Sequence, residues 1–535
     1  MSDKADPRLN GLVDQAKSGI ISRRRFMEGA LALGLTVPAA TTLWSKKVKA
    51  ATPKPGGTFR VGLDDGNTTD KLDPHTTESQ FMIQMNHAMR NYLTEINEDN
   101  VVGPDAASGW EASPDATVWT FELEKGVTFH DGKPFTAEDA MASINYHRGE
   151  DSKSAAKALV DPIEDIKTDG EHTLVITLKE GSADFPYVMS DYHMVMMPSD
   201  GEGNVDITGN GTGAYSIETF EPGVRAHLKK NPNYFKQGKG HFDEVDILAV
   251  NDPTARQAAI KTGDLDAITE PDLKTVHLLG RDPNIEIDEV ASGAHVTIPM
   301  FVDVAPFDNN DFRLALKYGI DRDAILQKVI RGHGTLGNDH PIGPTLPYWA
   351  DLEQRQYDPD KAKFHLDQSG VGNISVDLSA ADTAFPGAVD MCLLYKEQLA
   401  PVGIDINVVR EPNDGYWSNV WLVKPFVVVQ WGARPTPDVM FSLAYSADAA
   451  WNESHYKGER FNQLMKEARA ELDDNKRGEL YSEMQQIYRD EGGTVVPFFR
   501  NRVYARRANV MHGEKLTGNW PLDGARAYER WWLDS

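Results

Sequence analysis

The sequence predicts an α/β protein made of more than one structural unit. Two observations predict it. Short alternating strand patterns and amphipathic helical patterns follow one another along the chain, with turn residues between them, as layered α/β architectures require. The chain is also long. Of its 535 residues, about 485 follow an N-terminal leader, more than one hydrophobic core ordinarily holds, so about two to four units are expected.

The leader comes first. Ser22-Arg23-Arg24-Arg25-Phe26-Met27-Glu28 precedes an apolar run, Gly29 to Ala40, and the segment Val48-Lys49-Ala50. A charged region, an apolar region and a small residue at a cleavage point form the order of an export signal. The paired arginines followed by phenylalanine resemble the twin-arginine class. Gly34 and Pro38 interrupt the run, which is short for a membrane span. A buried helix of the folded domain is the competing reading. Residues 1–50 are thus expected to be a twin-arginine signal peptide, with a mature chain starting near Ala51 and working in the periplasm. The one cysteine, Cys392, lies far from this segment, so neither a lipid anchor nor an intramolecular disulfide is expected.

The elements follow in order. In Thr117 to Glu124, Trp119, Phe121 and Leu123 share one face at period two, which predicts a half-buried strand. Lys125-Gly126 turns the chain toward a second expected strand, Val127 to His130, and Asp131-Gly132-Lys133-Pro134 is the next turn. Thr136 then reads as a helix N-cap, with Glu138 and Asp139 where the dipole favours acids. His172 to Lys179 alternates again, with Leu174, Ile176 and Leu178 inward. Asp311 to Arg331 reads as two helices meeting at Gly319 to Asp321, the second capped by Asp321. Phe426-Val427-Val428-Val429 is a short buried strand between Pro425 and Trp431. Phe461, Leu464, Met465 and Ala468, then Leu480, Met484 and Ile487, predict two helices broken at Asp473-Asp474-Asn475 and folded as a hairpin outside a sheet.

Charge narrows the partners. The chain carries −26 overall while residues 1–50 contribute +5, so the mature part carries −31. Such a surplus disfavours nucleic acid and anionic lipid. Two glycine motifs fail as phosphate sites. Gly332-His333-Gly334-Thr335-Leu336-Gly337 follows a helix instead of a strand, and Gly209-Asn210-Gly211-Thr212-Gly213 lacks a following Lys-Ser/Thr. The 15 histidines show no metal-ligand spacing. His87 among Met82, Met85 and Met89, and His193 beside Met194, Met196 and Met197, read as core elements. No G-x-S-x-G elbow anchors a hydrolase triad. No cofactor and no bound metal are expected.

Several stretches, in order, resemble the family 5 solute-binding proteins of bacterial ABC importers, the oligopeptide, dipeptide and nickel group. Gly56-Gly57-Thr58-Phe59-Arg60-Val61-Gly62 looks like the first strand of that family. Phe129-His130-Asp131-Gly132-Lys133-Pro134-Phe135-Thr136-Ala137-Glu138-Asp139 looks like its signature segment. Gly211-Thr212-Gly213-Ala214-Tyr215, Lys230-Asn231-Pro232-Asn233-Tyr234 and Arg313-Leu314-Ala315-Leu316 with Ile320-Asp321-Arg322 continue it. The resemblance implies a two-lobed α/β periplasmic binding protein of the class II type, with an extra subdomain in lobe I. Lobe I would span 55–297 and a C-terminal return, 496–535; lobe II would span 298–495. The implied role is binding without chemistry: capture of a short peptide or a peptide-like, zwitterionic solute between the lobes and delivery to an inner-membrane ABC permease, by a monomer that binds no nucleic acid.

The resemblance also points to a site. Gln430-Trp431-Gly432-Ala433-Arg434-Pro435-Thr436-Pro437-Asp438 resembles the segment after a cleft-facing strand. Peptide-binding members carry an aspartate there for the ligand's amino terminus; here Ala433-Arg434 stands after Trp431-Gly432, and Asp438 is the remaining acid. Arg434 offers a planar fork for a carboxylate or phosphate, or pairs internally with an acid such as Asp438. Trp431, Tyr445 and Trp451 can present aromatic faces or pack a core. Asn452 and Glu453 lie in a polar loop, and Glu78 and Gln80 follow the first strand where the fold lines its cleft. Two other readings stay open: a nickel or metallophore receptor of the same fold, and an exported enzyme containing a cofactor.

Overall fold

The computed structural model describes residues 12, 23–33, 35, 40, 53–413, 415–449 and 451–534. Val48 to Ala51, the expected cleavage segment, lies outside the described residues. Arg23–Ala32 is a helix. Its Phe26 and Ala30 are buried with Ala40 against Leu12, Met27 and Leu35.

Thr58–Leu63 is central to a seven-stranded sheet. It pairs in parallel with Glu244–Ala249 and Ala267–Thr269. Arg225–Lys230 and Tyr215–Glu221 extend the sheet antiparallel on one side, and Arg502–Arg507 and Ile285–Val290 on the other. Phe59, Val61 and Leu63 are fully buried, and helix Gln80–Met89 lays Phe81, Met82, Met85 and Met89 on the same core. These methionines are thus core residues. His87 Nδ1 bonds to Ile83 O of its own helix at 2.9 Å, and burial first, then Arg526, holds its ring near pKa 3. Gly211 and Gly213 lie against the backbone at the end of this helix. A Cβ at Gly211 would come within 2.1 Å of Met89 O, and one at Gly213 within 2.4 Å of Met89 C, so close packing explains the glycines there.

A four-stranded antiparallel sheet is inserted next, in the order Ala107–Ala112, Val118–Leu123, Thr173–Leu178, Ile163–Thr168. Its inward faces carry the residues expected from alternation: Trp119, Phe121, Leu123, Leu174, Ile176 and Leu178 are all buried. Helix Ala137–Tyr146 covers them, capped by Thr136, whose N–H and Oγ1 both donate to Asp139 Oδ2 at 2.9 Å. The strand expected at Val127 to His130 does not form. Only an isolated bridge, Thr128 with Pro134, joins a tight loop closed by Phe129 N to Lys133 O. Pro134 has no N–H to extend a ladder, and Gly126 and Gly132 take left-handed φ values of 79° and 90°.

A second body follows. His295–Pro299 pairs antiparallel with Val429–Trp431, Thr494–Val495 and Phe498–Arg500, and Gly334–Leu336 closes the edge. The glycine motif at 332–337 is therefore an edge strand. Ile374–Ala380 and Ile404–Arg410 pair in parallel through helix Ala388–Leu399, a crossover unit. Helices Asn310–Tyr318 and Arg322–Lys328 meet as expected, with Asp321 accepting from Ala324 N at 2.9 Å. The late hairpin is Glu459–Ala470 and Asp474–Glu491. Its second inward stripe adds Tyr481 and Tyr488 to the expected Met484, with the expected Leu480 and Ile487 half-buried against the same core.

The large core clusters draw on different stretches of chain. One gathers residues from Val296 to Phe498; another gathers Phe59 to Ala267 with Tyr504 to Trp531. Between the two sheets the chain passes twice, at 291–294 and at Asn501. The passages are tied together: Ser292 Oγ donates to Arg500 O at 2.9 Å, and Arg500 N donates to Ala294 O at 2.7 Å.

Candidate functional site

The apolar run Phe426 to Val429 is buried, and the chain emerges from it at Trp431, opposite His295 on the neighbouring strand. Thr436 starts helix Pro437–Ala444 with a proline at the first helical position. Between the strand end and this cap, the loop 432–435 is held at the gap between the two bodies. Ala433 and Pro435 line a cavity there with Gly293, Thr345 and Leu346, facing Ile96, Asn100, Gly518 and Asn519 of the first body. Its volume is about 10 Å³, the room of roughly one water, so the two bodies stand close together.

Arg434 lies in that loop. Its Nη1 donates to Gly432 O at 3.2 Å and Ala433 O at 3.1 Å, and its guanidinium lies 6.0 Å from the Trp431 ring centroid. Burial pulls its pKa down, while Tyr192 and Asp191 of the first body oppose the fall. Asp438 is not its partner. That carboxylate accepts from Arg469 Nε at 3.1 Å and from Ser442 Oγ at 3.2 Å, inside the second body. An Asp438–Arg434 pair is therefore replaced by an Asp438–Arg469 pair.

Trp431 belongs to an indole cluster. Trp421, Trp431 and Trp451 touch pairwise, with ring centroids 5.8–6.0 Å apart, and Trp417 packs edge-on against Trp421 at 5.9 Å. Trp451 and Trp417 remain about 40% exposed (40% and 42%), so the cluster presents an aromatic surface. Beneath it lies Glu453, 1% exposed. Its Oε1 accepts from Thr297 Oγ1 at 2.7 Å and from Trp431 Nε1 at 3.1 Å; its Oε2 accepts from Trp421 Nε1 at 3.1 Å. Burial raises this carboxyl to about 7 against those three bonds. One carboxylate thus fixes two indoles and joins them to strand His295–Pro299. Asn452, its neighbour, donates to Ser446 O at 3.1 Å and Tyr456 O at 2.8 Å and braces the loop. Tyr445 is fully buried against Tyr488 in the core of the second body.

On the first body, Ser79 caps helix Gln80–Met89, accepting from Met82 N at 3.2 Å and donating to Asp70 Oδ1 at 2.9 Å. Glu78, just before the cap, is exposed. Gln80 bonds through its backbone to Asp65, and its side-chain Oε1 is buried without a hydrogen-bond partner among the described residues. Asp191 accepts from His193 Nδ1 at 2.7 Å and His193 N at 3.0 Å. Burial raises the Asp191 carboxyl, but His193 and then Arg434 outweigh it and hold the group below the ordinary carboxylate range. Tyr192 packs edge-on against Trp520 at 5.1 Å.

The structure therefore joins Trp431 to Arg434 beside the gap and to Trp451 in the tryptophan cluster, and sets Glu78 and Gln80 on the helix start of the other body; it places Tyr445, Asp438 and Asn452 within the second body. The sequence reading missed Trp417, Trp421, Asp191 and Tyr192. The two tryptophans are four residues apart, the spacing of one helical face, and that was the available signal. Asp191 and Tyr192 carried none, because only the fold brings them near enough for charge to act between them and Arg434. Among the described residues no group of three or more His, Cys, Asp or Glu can hold a metal ion, and no helix is long and apolar enough to cross a membrane.

Comparison with known proteins agrees with this architecture. The family of bacterial extracellular solute-binding proteins, family 5 Middle, matches residues 101–453. The dipeptide-binding protein of Escherichia coli K12 is 25% identical over 511 residues, 88% of this chain and 92% of its own. An ABC transporter-associated periplasmic binding protein from Helicobacter pylori, solved with a peptide, superposes with a TM-score of 0.74 at 22% identity, covering 90% of this chain and 99% of its own. A periplasmic binding protein of A. tumefaciens, solved with agropinic acid, gives 0.73 at 22% identity over 90% and 99%. The fold is that of the two-lobed periplasmic binding proteins, with the four-stranded sheet as an extra subdomain. The chain belongs to the bacterial extracellular solute-binding proteins of family 5, binding proteins and not enzymes.

Proposed function

We propose that this protein is the periplasmic substrate-binding component of an ABC importer. It captures a short peptide or a peptide-like, zwitterionic solute between its lobes and presents the closed form to a membrane permease. The observation that carries this reading is the gap itself: two bodies with separate cores, joined by two adjacent chain passages, with the loop that carries Arg434 lining it. Such a pair of bodies closes as a hinge around a solute, and the relatives that share the fold include receptors solved with a peptide and with agropinic acid.

Lobe I takes residues 55 to about 290 and the C-terminal return; lobe II takes the stretch between the passages. The passages at 291–294 and Asn501 lie a few residues outside the divisions 297/298 and 495/496, because His295–Pro299, Thr494–Val495 and Phe498–Arg500 all pair within the second sheet. Residues 1–50 act as a twin-arginine signal, the mature chain starts near Ala51, and the protein works as a monomer. N-terminal sequencing of exported protein tests the first two points.

The functional test is a thermal-shift screen of peptides, amino-acid conjugates and polyamines, followed by small-angle scattering. A bound solute raises the melting temperature by mass action and lowers the radius of gyration. Turnover of a solute, or an absence of shift across every class, overturns the reading.

A further inference from the structure

A second cavity lies within the first body, where the inserted four-stranded sheet meets the C-terminal return. Its volume is about 320 Å³, within the range that takes a small molecule. Strand Thr94–Ile96 separates it from the gap: Glu95 lines this cavity and Ile96 the small one beside Ala433, as alternation along a strand requires. No residue lines both. The buried part of its wall is an ion-pair network. Lys236 Nζ lies 2.7 Å from Glu95 Oε2, 2.8 Å from Asp105 Oδ1 and 3.5 Å from Glu529 Oε1. Arg526 meets the same three acids at 2.9–3.0 Å, and Arg530 reaches Glu95 at 3.5 Å. Burial pulls the Lys236 pKa down, but Asp105 and Glu529 outweigh it and keep the ammonium charged. Three acids and three cations thus answer one another, and the network leaves no whole charge for a ligand.

Two charged side chains of the lining stand outside the network. Glu124, just after strand Val118–Leu123, and Lys239 make no side-chain hydrogen bond and no ion pair among the described residues, with each other included. They are opposite in sign and both half-buried. The apolar part of the lining is Phe235 and Pro104. A simple anion gains Lys239 but faces the acids of the wall; a simple cation gains Glu124 but faces Lys236 and Lys239. Such repulsion selects against both, and a zwitterion escapes it. We propose that this cavity is an accessory site for a single free amino acid, with its carboxylate on Lys239, its ammonium on Glu124 and its side chain against Phe235 and Pro104. The amino acid bridges two charges of one cavity that do not meet each other, and its size suits the volume. The site belongs to the first body alone, so it stands whether or not a solute is captured between the lobes.

Leucine is the probe, with leucinamide, which lacks the carboxylate, and N-acetylleucine, which lacks the ammonium, as controls. Each is titrated calorimetrically into the exported protein and into the variants Glu124→Gln and Lys239→Gln. Neither side chain has a partner to lose, so ligand-free melting curves of both variants should match the wild type. Leucine is expected to bind. Losing one charge-assisted contact, from the ligand or from the protein, should weaken it about 10- to 100-fold. Leucinamide should be indifferent to Lys239→Gln, and N-acetylleucine to Glu124→Gln. Acetylation of lysines by a soluble reagent, read by mass spectrometry, locates the site: leucine should slow modification of Lys239 several-fold, and Glu124→Gln should abolish that protection. Leucine that binds both variants as tightly as the wild type and leaves Lys239 unprotected sits elsewhere in the molecule, which overturns the inference and leaves the receptor reading intact. No binding of leucine, with Lys239 labelled at its unprotected rate, overturns it as well.

Discussion

At the scale of single residues, Glu453 shows how a buried acid serves a binding surface. Three donors converge on its carboxylate, and two are indole N–H groups that can only donate. In Glu453→Gln an amide NH₂ must face one of them, so one tryptophan loses its anchor. The pH dependence follows from the raised pKa. The folded acid binds its proton more tightly than the unfolded chain does, with about 7 against the ordinary 4.5. Between those values the native state holds more protons, so stability falls as pH rises. The contribution is full below pH 4.5 and lost as pH passes 7, a span of about 3 kcal/mol. Urea titrations of the wild type and Glu453→Gln across this range check it: the stability difference should move against the wild type as pH rises, with tryptophan fluorescence changing over the same interval. A pH-independent difference would refute the assignment. Asp339 is the contrasting case. It is fully buried between Arg322 and Arg355, accepts from Val496 N at 3.1 Å, and is held near pKa 2, burial being outweighed by the arginines. Its contribution is present above the ordinary carboxylate pKa and is lost as pH falls toward 2. Asp339→Ala leaves the buried Arg322 guanidinium without its acid and Arg355 with Asp490 alone, and should cost about 3–5 kcal/mol in denaturant titrations.

At the scale of elements, caps do what the sequence says, and the faces show where pattern reading stops. Asp473 accepts from Asn475 N at 3.1 Å and Lys476 N at 3.0 Å at the start of helix Asp474–Glu491. Asp473→Ala should lower global stability by about 1 kcal/mol, which denaturant titrations check. Strands such as Val118–Leu123 were legible because one face is solvated, which forces alternation. Val127 to His130 misled for the opposite reason: apolar Val127 and Phe129 alternate but serve a tight loop, and Pro134 blocks the ladder. The inward stripe of the last long helix is wider than its aliphatic spacing shows, because the rings of Tyr481 and Tyr488 are buried beside Leu480, Met484 and Ile487. For the site, Trp431 and Arg434 were legible from local order along the chain. Asp191 and Tyr192 were not, since they stand more than 200 residues before Arg434 in the chain and only the packing of the two bodies brings them near it.

At the scale of the whole molecule, the two bodies touch away from the gap as well. Ala183 N, in the segment after the four-stranded sheet, donates to Arg469 O of the late hairpin at 2.8 Å, and the neighbouring Asp184 pairs with Arg477. Both side chains of that pair are nearly inaccessible, at 6% for Arg477 and 1% for Asp184. Arg477 sits in the first turn of helix Asp474–Glu491, where the dipole favours acids, so helix stability does not explain it. The Tyr348 ring lies 5.0 Å from its guanidinium and completes the enclosure. When the bodies separate, both charges return to water. Removing one partner therefore penalises only the closed arrangement, where the other is left buried and unpaired. Arg477→Ala should open the ligand-free protein, seen as a larger radius of gyration in small-angle scattering. Solute affinity should fall in proportion to the lost closed population, and saturating solute should restore the compact form. The double variant Asp184→Asn with Arg477→Gln, which leaves no orphan charge, should recover much of both. If the scattering curve and the affinity of Arg477→Ala match those of the wild type, this contact is a passive neighbour of closure, and the balance between open and closed must be set at the passages 291–294 and Asn501 alone.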